Sequence, residues 1–508
     1  MDQVNLVKYL KIPRRIGFLD IVGALVILAA FKLKLGWFGD PGLGWHLKTG
    51  ELIWQTQSLP ATDPFLNPAV NAPWIIDQWL SDILLWLCYS VAGFSAVKIV
   101  AHFVVICSFV FILQKILVRE TRNYILIGFV LLLVAAQASM SWFVRPVVFS
   151  FLCFACCYQL FAPRLALRPS GMKLKLLCQG VSTFLLFTLW ANLHPSFALG
   201  FLIILAALIS RILNRDFEAA KASSLLLGIA LLATFVTPYG LDLHLTAFKL
   251  VQSDFFTKLN QEWLAPRMSE SSFTIFYAAL GFFALALLLT PRCKLLTSFD
   301  LVLCSPLLWE ALNHRRFIPY FIFAFAPVMI RSGISIGSVF TKTLNRKLPL
   351  ITSAFRSINA KEECGSKALL SLLALLGLYL PQCLSCHQRT EQVNPLDAFY
   401  PARAIEYVLK QKPERLFNHP DYGGYLIWRG FQPFIDDRNQ LIGEERYRLF
   451  LQINQAKGNW LEKIAENKFT FLLLDRLSPA HRKLSTLGLT GFEKVYEDKK
   501  ASVWRELP

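Results

Sequence analysis

Long apolar segments separated by short polar connections dominate most of the chain. Each has roughly 16–22 residues, the length an α-helix needs to cross about 30 Å of hydrocarbon with its backbone hydrogen bonds satisfied internally. Strands of a membrane barrel would be shorter and would alternate between apolar and polar residues. The pattern predicts an α-helical polytopic membrane protein with about eleven transmembrane helices, over residues 18–35, 95–117, 123–141, 147–163, 176–193, 196–212, 223–237, 272–290, 299–313, 317–334 and 367–384.

The loop between the first two predicted spans, residues 37–94, differs from the other connections. It mixes prolines and acidic residues with many aromatic residues. Apolar residues recur at roughly helical spacing over 44–57, which predicts a helix lying at the membrane interface. Residues 79–89 are also apolar, but the segment is short and contains Asp82. It is either a span or a second surface helix.

The distribution of Lys and Arg decides between these alternatives. If residues 79–89 lie on the membrane surface, every strongly basic loop falls on the cytoplasmic side, as the positive-inside rule requires. These loops are 119–122, 164–175, 211–221, 292–294 and 342–367. We therefore predict an inner (plasma) membrane protein with a cytoplasmic N-terminus. The first loop, the loop 238–271 and the turn 313–316 are then extracytoplasmic.

The composition changes sharply after the last predicted span. Residues 387–508 are polar and mixed, with strand-like segments at 424–428, 433–436, 469–474 and 502–504. Helical segments at 401–411, 444–455 and 460–466 separate them. The sequence thus predicts a membrane domain over 1–386 and a periplasmic α/β domain over 387–508.

The overall charge does not indicate a nucleic-acid-binding protein. The chain is 55% hydrophobic and 17% charged, and its net charge is +18. Nucleic-acid binding would require the basic residues to gather on one soluble face. Here they lie mainly in short loops between apolar segments, so the positive charge is a topology signal.

Several polar residues at the predicted extracytoplasmic surface could carry chemistry. Asp40 directly follows the first span, where a charge is costly unless it is used or solvated. Arg315 and Arg316 could bind a phosphate through their guanidinium groups or merely reach toward lipid headgroups, and the sequence does not decide between the two. In the tail, the run 436–438 (Asp-Asp-Arg) could recognise an acceptor, although a paired, solvated turn is the favoured interpretation.

A divalent metal ion is a further alternative. His46, His194 and His314, with Asp40 or Glu262, are residue types that bind such ions. However, no two of these residues have a spacing typical of metal ligands. The sequence therefore predicts no metal ligands and no certain cofactor.

Short motifs in order along nearly the whole chain resemble those of bacterial multi-pass proteins related to the GT-C glycosyltransferases. They are Asp40 with 45–51 (WHLKTGE), 59–65 (LPATDPF), 73–74 (PW), 79–80 (WL), 145–146 (RP), 190–194 (WANLH), 238–240 (PYG), 262–263 (EW), 314–316 (HRR), 423–428 (GGYLIW) and 434–438 (FIDDR). Similar proteins tend to have Glu before the Trp-Leu pair, where this chain has Gln78, so any role of that carboxylate is in doubt.

The resemblance implies an activity and roles for these residues. GT-C enzymes transfer a sugar from a polyprenyl-phosphate carrier to an acceptor on the extracytoplasmic face, using a carboxylate in the first loop. Asp40 matches that position and Asp63 is the second choice. The residues expected to bind substrate are His46, Arg145, His194, Glu262, His314, Arg315 and Arg316. The expected partners are membrane lipids, a polyprenyl-phosphate sugar, and a glycan, lipid or protein acceptor.

Two other functions remain open at this point. A transporter or flippase of a lipid-linked glycan would also be polytopic, but such proteins commonly carry ionisable residues inside their spans, and this chain has few. A non-catalytic GT-C-like component of cell-envelope assembly would keep the architecture without the chemistry.

Overall fold

The computed structural model describes residues 17–32, 38–70, 73–162, 172–252, 254–290, 295–347, 395–487 and 491–507, with the isolated positions 353, 359, 377 and 378. The described part of the membrane domain is helical. Its helices are α1 (Phe18–Lys32), α2 (Leu43–Thr56), α3 (Trp79–Ile106), α4 (Leu113–Leu117), α5 (Tyr124–Ala138), α6 (Val147–Phe161), α7 (Met172–Leu193), α8 (Ala198–Leu213), α9 (Phe217–Ala233), α10 (Leu241–Gln252), α11 (Asp254–Leu259), α12 (Thr274–Leu289), α13 (Ser298–Asn313) and α14 (Ile318–Lys347).

Within the described residues, six helices are long and apolar enough to cross a membrane. Two shorter apolar helices, Phe18–Ala30 and Val147–Phe161, accompany them. The prediction of a helical membrane protein is confirmed, whereas the number eleven stays a prediction. The predicted last span, 367–384, lies outside the described residues except for positions 377 and 378.

The first loop folds around two helices in close contact, α2 and the beginning of α3. The backbone of α3 leaves helical geometry at Ala92 and Gly93. The segment that starts at Trp79 is therefore separate from the apolar segment after Gly93, and its position on the membrane surface stays a prediction. A Cβ atom added at Gly50 of α2 would lie 2.1 Å from the carbonyl oxygen of Asp82. Only glycine allows this approach of the two backbones.

The tail is an α/β domain. Its elements are α15 (Ala402–Gln411), β1 (Leu416–Asn418), α16 (Pro420–Trp428), α17 (Asn439–Asn454), α18 (Trp460–Glu466), β2 (Phe471–Asp475), α19 (Pro479–Leu487), β3 (Phe492–Glu497) and β4 (Ala501–Glu506). The four strands form one sheet in the order β1-β2-β4-β3. β1 and β2 are parallel, and the other pairs are antiparallel. The predicted fold class is confirmed.

Two strands predicted in the tail are wrong. Residues 424–428 belong to helix α16, which begins at Pro420 and is capped by His419, whose Nδ1 accepts the Asp421 N–H at 3.2 Å. Residues 433–436 form no strand pairing. The Asn418 side chain occupies their backbone groups instead: its Nδ2 donates to the Ile435 carbonyl (2.8 Å) and its Oδ1 accepts the Phe434 N–H (2.9 Å). A short apolar run fits a buried helix as well as a strand.

The tail packs directly on the first loop. Helices α16 and α2 approach so closely that a Cβ atom at Gly44 would lie 2.1 Å from the Gly424 carbonyl oxygen. A Cβ atom at Gly424 would in turn lie 2.1 Å from the Pro41 carbonyl oxygen. The Asn67 N–H donates to the Pro433 carbonyl at 3.0 Å. The residues around Asp40 therefore have the tail domain as one wall.

Candidate functional site

Asp40 lies in the turn that leads into α2, where its carboxylate is held by the first loop and its backbone carbonyl by the tail. Its side chain Oδ1 accepts the Gly42 N–H at 3.0 Å. The hydroxyl of Tyr400, a tail residue, donates to the Asp40 carbonyl oxygen at 2.9 Å. Asp40 is only 7% exposed. The turn thus fixes a carboxylate at the junction of the membrane domain and the tail.

Arg145 joins Asp40 to Glu262. It lies in the connection between α5 and α6, just before Pro146, the N-cap of α6. Its Nη1 donates to Asp40 Oδ2 at 3.1 Å, and its Nη2 makes a short ion pair with Glu262. Burial lowers the pKa of Arg145, but the two carboxylates outweigh it and raise that pKa above the ordinary value. The guanidinium group therefore stays charged between two acids.

Glu262 extends this chain of charges to Arg316. It lies in the short 3₁₀ turn Gln261–Trp263, whose cap Asn260 accepts the Glu262 N–H at 2.9 Å. Burial raises the pKa of Glu262, but Arg145 and Arg316 lower it below the ordinary value. The guanidinium of Arg316 lies 4.6 Å from the centre of the Trp263 ring. Charges thus alternate along Asp40, Arg145, Glu262 and Arg316.

The two adjacent arginines after α13 have different surroundings. Arg315 pairs with Glu270 at 2.7 Å and lies over the Phe273 ring at 5.0 Å. Within the described part of the chain, the Arg316 side chain forms no hydrogen bond or ion pair, and Glu262 acts on it through its charge. Arg316 is therefore the arginine of this pair whose N–H groups are open to an anionic ligand.

His314 fastens the arginine turn to the loop that carries Glu262. Its Nδ1 donates to the Trp263 carbonyl at 2.7 Å, and the Arg315 N–H donates to the Leu264 carbonyl at 3.1 Å. Both bonds fix the position of Trp263, on which Arg316 lies. The structure therefore gives His314 a positioning contact within the site.

His194 and His46 are both buried, and each has its own polar partner. The Nδ1 of His194 accepts the Ser196 N–H at 3.2 Å. Burial, followed by the charges of Arg316 and Arg145, lowers the pKa of His194 well below the ordinary value, so this imidazole is neutral. His46 Nδ1 donates to Asp82 Oδ1 at 2.6 Å. Asp82 is fully buried, so His46 supplies the partner that this carboxylate needs.

Asp63, the second predicted catalytic residue, lies in a different cluster. Its Oδ1 accepts from Arg438 Nη1 at 2.7 Å, and Arg438 also bonds to Asp436, at 2.8 Å from Nε and 2.5 Å from Nη2. The Arg438 guanidinium lies 4.8 Å from the Trp74 ring centre. This buried triad joins the first loop to the tail, and the structure does not bring Asp63 into the ion-pair chain of Asp40.

The interpretation of 436–438 as a solvated turn is wrong. Asp436 and Arg438 are buried in the triad. Asp437 points the other way, and its Oδ1 accepts the Trp45 Nε1–H at 2.9 Å. Burial, then Asp436 and Asp40, raise the pKa of Asp437 well above its ordinary value. Sequence reasoning singled out these residues but could not place them beside Asp40, because 397 positions separate the two along the chain.

The described residues contain no group of three His, Cys, Asp or Glu side chains arranged to hold a metal ion. His46, His194 and His314 bond to three different partners, Asp82, Ser196 and Trp263. The arrangement around Asp40 is one of paired charges, which can accept a proton at a carboxylate and bind an anion at Arg316.

Comparison with known proteins identifies the fold. No protein-family model and no curated protein sequence matches this chain. Among solved structures, the Archaeoglobus fulgidus oligosaccharyltransferase tethered to an acceptor peptide is 12% identical, with 96% of this chain and 74% of that chain covered and a TM-score of 0.55. The same enzyme in complex with an inhibitory peptide and a dolichol-phosphate is 12% identical, with 92% and 69% covered and a TM-score of 0.50.

A third structure, ArnT from Cupriavidus metallidurans bound to undecaprenyl phosphate, is 11% identical, with 96% of this chain and 98% of that chain covered and a TM-score of 0.47. The likeness to the archaeal enzyme, at its low identity, shows the fold alone. The chain has a GT-C fold, and the resemblance drawn from the sequence motifs is confirmed at the level of the fold.

Proposed function

We propose that this protein is a membrane glycosyltransferase that moves a sugar from a polyprenyl-phosphate donor to a glycan, lipid or protein acceptor at the extracytoplasmic surface. One observation carries the proposal: the alternating chain of Asp40, Arg145, Glu262 and Arg316 at the junction of the membrane domain and the tail. It combines a buried carboxylate with a cation whose hydrogen-bonding groups are open to a ligand. The GT-C fold supports the general class of reaction.

Asp40 acts as the general base in this proposal. One oxygen accepts the Gly42 N–H and the other pairs with Arg145, so the carboxylate is oriented before an acceptor arrives. It accepts the proton of the acceptor hydroxyl as that oxygen bonds to the anomeric carbon of the sugar. The anomeric carbon loses its bond to the phosphate oxygen in the same step, and developing positive charge on the sugar favours an adjacent carboxylate.

Arg316 binds the donor phosphate. Breaking the sugar–phosphate bond turns a phosphodiester with one negative charge into a phosphate monoester that carries up to two. A guanidinium group binds phosphate oxygens through paired N–H donors, and its contribution increases as charge builds on the leaving group. Trp263 and His314 hold Arg316 in place, and Glu262 balances its charge until the donor binds.

The chemistry is tested with the full chain reconstituted in proteoliposomes that contain labelled polyprenyl-phosphate sugars and a membrane extract as acceptor. We expect release of polyprenyl phosphate together with a new labelled glycoside. Asp40→Asn keeps the size of the side chain but removes the base, so transfer falls by about 10²–10⁴-fold. Full activity of Asp40→Asn would refute its role. Lipid movement without a new glycosidic bond would identify a flippase, and neither activity would favour an assembly component.

Donor binding is tested separately with undecaprenyl phosphate as the probe. Arg316→Ala should weaken its binding to the detergent-solubilised protein by roughly tenfold to a hundredfold, the contribution of a hydrogen bond to a charged group. Arg315→Ala is the matched control, because Arg315 is already paired with Glu270 and should affect binding less. If Arg315→Ala had the larger effect, the assignment of Arg316 to the phosphate would be wrong.

A further inference from the structure

We propose that the tail domain supplies a positioning residue to this centre: Asp437, whose carboxyl group donates a hydrogen bond to the carboxylate of Asp40 and orients it. The inference rests on the proposed function, in which Asp40 is the base. It adds a carboxyl group from the tail to a chain of ion pairs that is built by the membrane domain.

Gly42 brings the two carboxyl groups together. A Cβ atom built on Gly42 would lie 3.0 Å from Asp437 Oδ2 and 3.1 Å from Asp40 Oδ1. Both oxygens thus face the same small space, which a side chain at position 42 would occupy. The backbone angles of Gly42, φ −80° and ψ −17°, are those of an ordinary helical residue. A methyl group here would displace the neighbouring side chains by a few tenths of an ångström, so glycine is favoured at position 42 for space and not for backbone conformation.

The two oxygens of the Asp437 carboxyl group have different neighbours. Oδ1 accepts the indole N–H of Trp45 at 2.9 Å, which leaves Oδ2 on the side of Asp40. Trp45 lies on α2, one turn after Asp40, so the same short segment of the first loop holds both carboxyl groups. The orientation of Asp437 is fixed independently of Asp40, as expected of a group that positions its neighbour.

The balance of charge places a proton on Asp437. Asp40 pairs with Arg145, but within the described part of the chain no Lys, Arg or His side chain lies within 4.0 Å of Asp437. Asp436, Asp40 and Asp421 raise the pKa of Asp437, the hydrogen bond from Trp45 lowers it, and the tyrosines Tyr400 and Tyr447 are neutral neighbours. Two carboxyl groups that share a site do not both ionise readily. The raised pKa of Asp437 agrees with this assignment.

The proton on Asp437 has a consequence for the proposed reaction. As a neutral acid, Asp437 donates its O–H to Asp40 Oδ1, and Asp40 Oδ2 remains the oxygen near Arg145. The acceptor proton is taken up by Asp40, while Asp437 keeps its own, so Asp437 undergoes no net change. Loss of the Asp437 proton at high pH would place a second negative charge beside the base and remove its hydrogen-bond donor.

The first test measures the stability of the full chain as a function of pH and needs no donor. An acid whose pKa is raised on folding costs stability once the pH exceeds its ordinary value of 3.8, because the unfolded chain releases the proton freely. Asp437→Asn keeps the shape and the donor of the neutral acid without this cost. We therefore expect its melting temperature to rise relative to wild type as the pH increases above the ordinary pKa of 3.8.

Glu466→Gln is the control for this test, since Glu466 is an exposed carboxylate of the same domain whose side chain is 54% exposed. It should show no such rise. A pH-independent difference between Asp437→Asn and wild type would contradict the protonated state of Asp437 and overturn the inference.

The second test measures transfer as a function of pH. Wild-type activity should fall at alkaline pH as Asp437 loses its proton, and Asp437→Asn should lack that fall. Asp437→Ala, which has no donor, and Gly42→Ala, which places a methyl group between the two carboxyl groups, should lower transfer by about tenfold or more relative to wild type wherever wild-type Asp437 is protonated. If Asp437→Asn were as inactive as Asp437→Ala, Asp437 would act as an ionised group and the inference would be wrong.

The two tests separate this inference from the proposed function. If the wild type transfers no sugar from any polyprenyl-phosphate donor, the proposed function fails, but the pH-dependent stability of Asp437→Asn still reports the paired carboxyl groups. If the wild type transfers sugar and neither measurement distinguishes Asp437→Asn from the Glu466→Gln control, the inference alone fails.

Discussion

Replacing Arg438 by Met should detach the tail from the first loop. Arg438 lies between two carboxylates, Asp63 in the loop and Asp436 in the tail, with N–O distances of 2.5–2.8 Å. The side chains of both aspartates are 0% exposed, and that of Arg438 is 4% exposed. Methionine fills a similar volume, so the main effect of the change is to remove the positive charge.

The cost follows from the buried charges that remain. A buried ion pair contributes little net stability compared with apolar residues, but removing one partner leaves the other charge unpaired in a poor solvent. Such losses are about 3–5 kcal/mol, and here two carboxylates lose their partner. We expect Arg438→Met to lower the free energy of unfolding by at least this amount. It should also weaken the contact between α2 and α16.

Urea denaturation of the detergent-solubilised protein, followed by tryptophan fluorescence, measures this change. Lys410→Met is the control, because Lys410 pairs with Glu406 on an exposed helix face and such pairs contribute about 0–1 kcal/mol. Adding Asp63→Asn to Arg438→Met should recover part of the loss by removing one unpaired charge. If Arg438→Met cost no more than Lys410→Met, the triad would not hold the two domains together.

Three further predictions concern the membrane domain. Arg145→Met leaves Asp40 and Glu262 unpaired, so transfer should fall by about 10²–10³-fold; activity near that of wild type would exclude Arg145 from the site. Gly50→Ala places a methyl group against the backbone of α3 and should lower the free energy of unfolding, measured by urea denaturation, by about 1–3 kcal/mol or more. Gly228→Ala is the control, because its methyl group would meet no atom within 4 Å and should cause no such loss. The folded-state pKa of His194 is depressed, so wild type should lose stability below about pH 6.5 relative to His194→Gln; parallel melting curves would contradict a neutral buried imidazole.

Much of this fold could be predicted from the sequence, because lipid imposes a simple rule on the chain. Helices that cross a membrane must be long, apolar and internally hydrogen-bonded, so the apolar segments mark them directly. The separation of residues 79–89 from the apolar segment after Gly93 could be predicted, because counting both as spans would invert the predicted side of every basic loop. No such rule applies to the tail. Residues 424–428 are predicted as a strand because a glycine followed by four apolar or aromatic residues fits a strand as well as a buried helix.

Identifying the candidate site required both the sequence motifs and the tertiary structure. The motifs that resemble those of GT-C proteins pointed to Asp40, Arg145, Glu262 and Arg316, but they gave Arg315 equal standing. Only the tertiary structure distinguished Arg316 from its neighbour Arg315, because the difference lies in a partner, Glu270, from another loop.

The same dependence on partners from distant segments explains why the roles of Asp63 and Asp437 could not be assigned from the sequence. Both are aspartates in short polar segments, and nothing local distinguishes a structural carboxylate from one in the site. Folding pairs Asp63 with Arg438 and places Asp437 across Gly42 from Asp40. Hydrophobic periodicity is a local property that the sequence displays, whereas the charge state and role of a buried acid depend on neighbours that only the packed chain brings within a few ångströms.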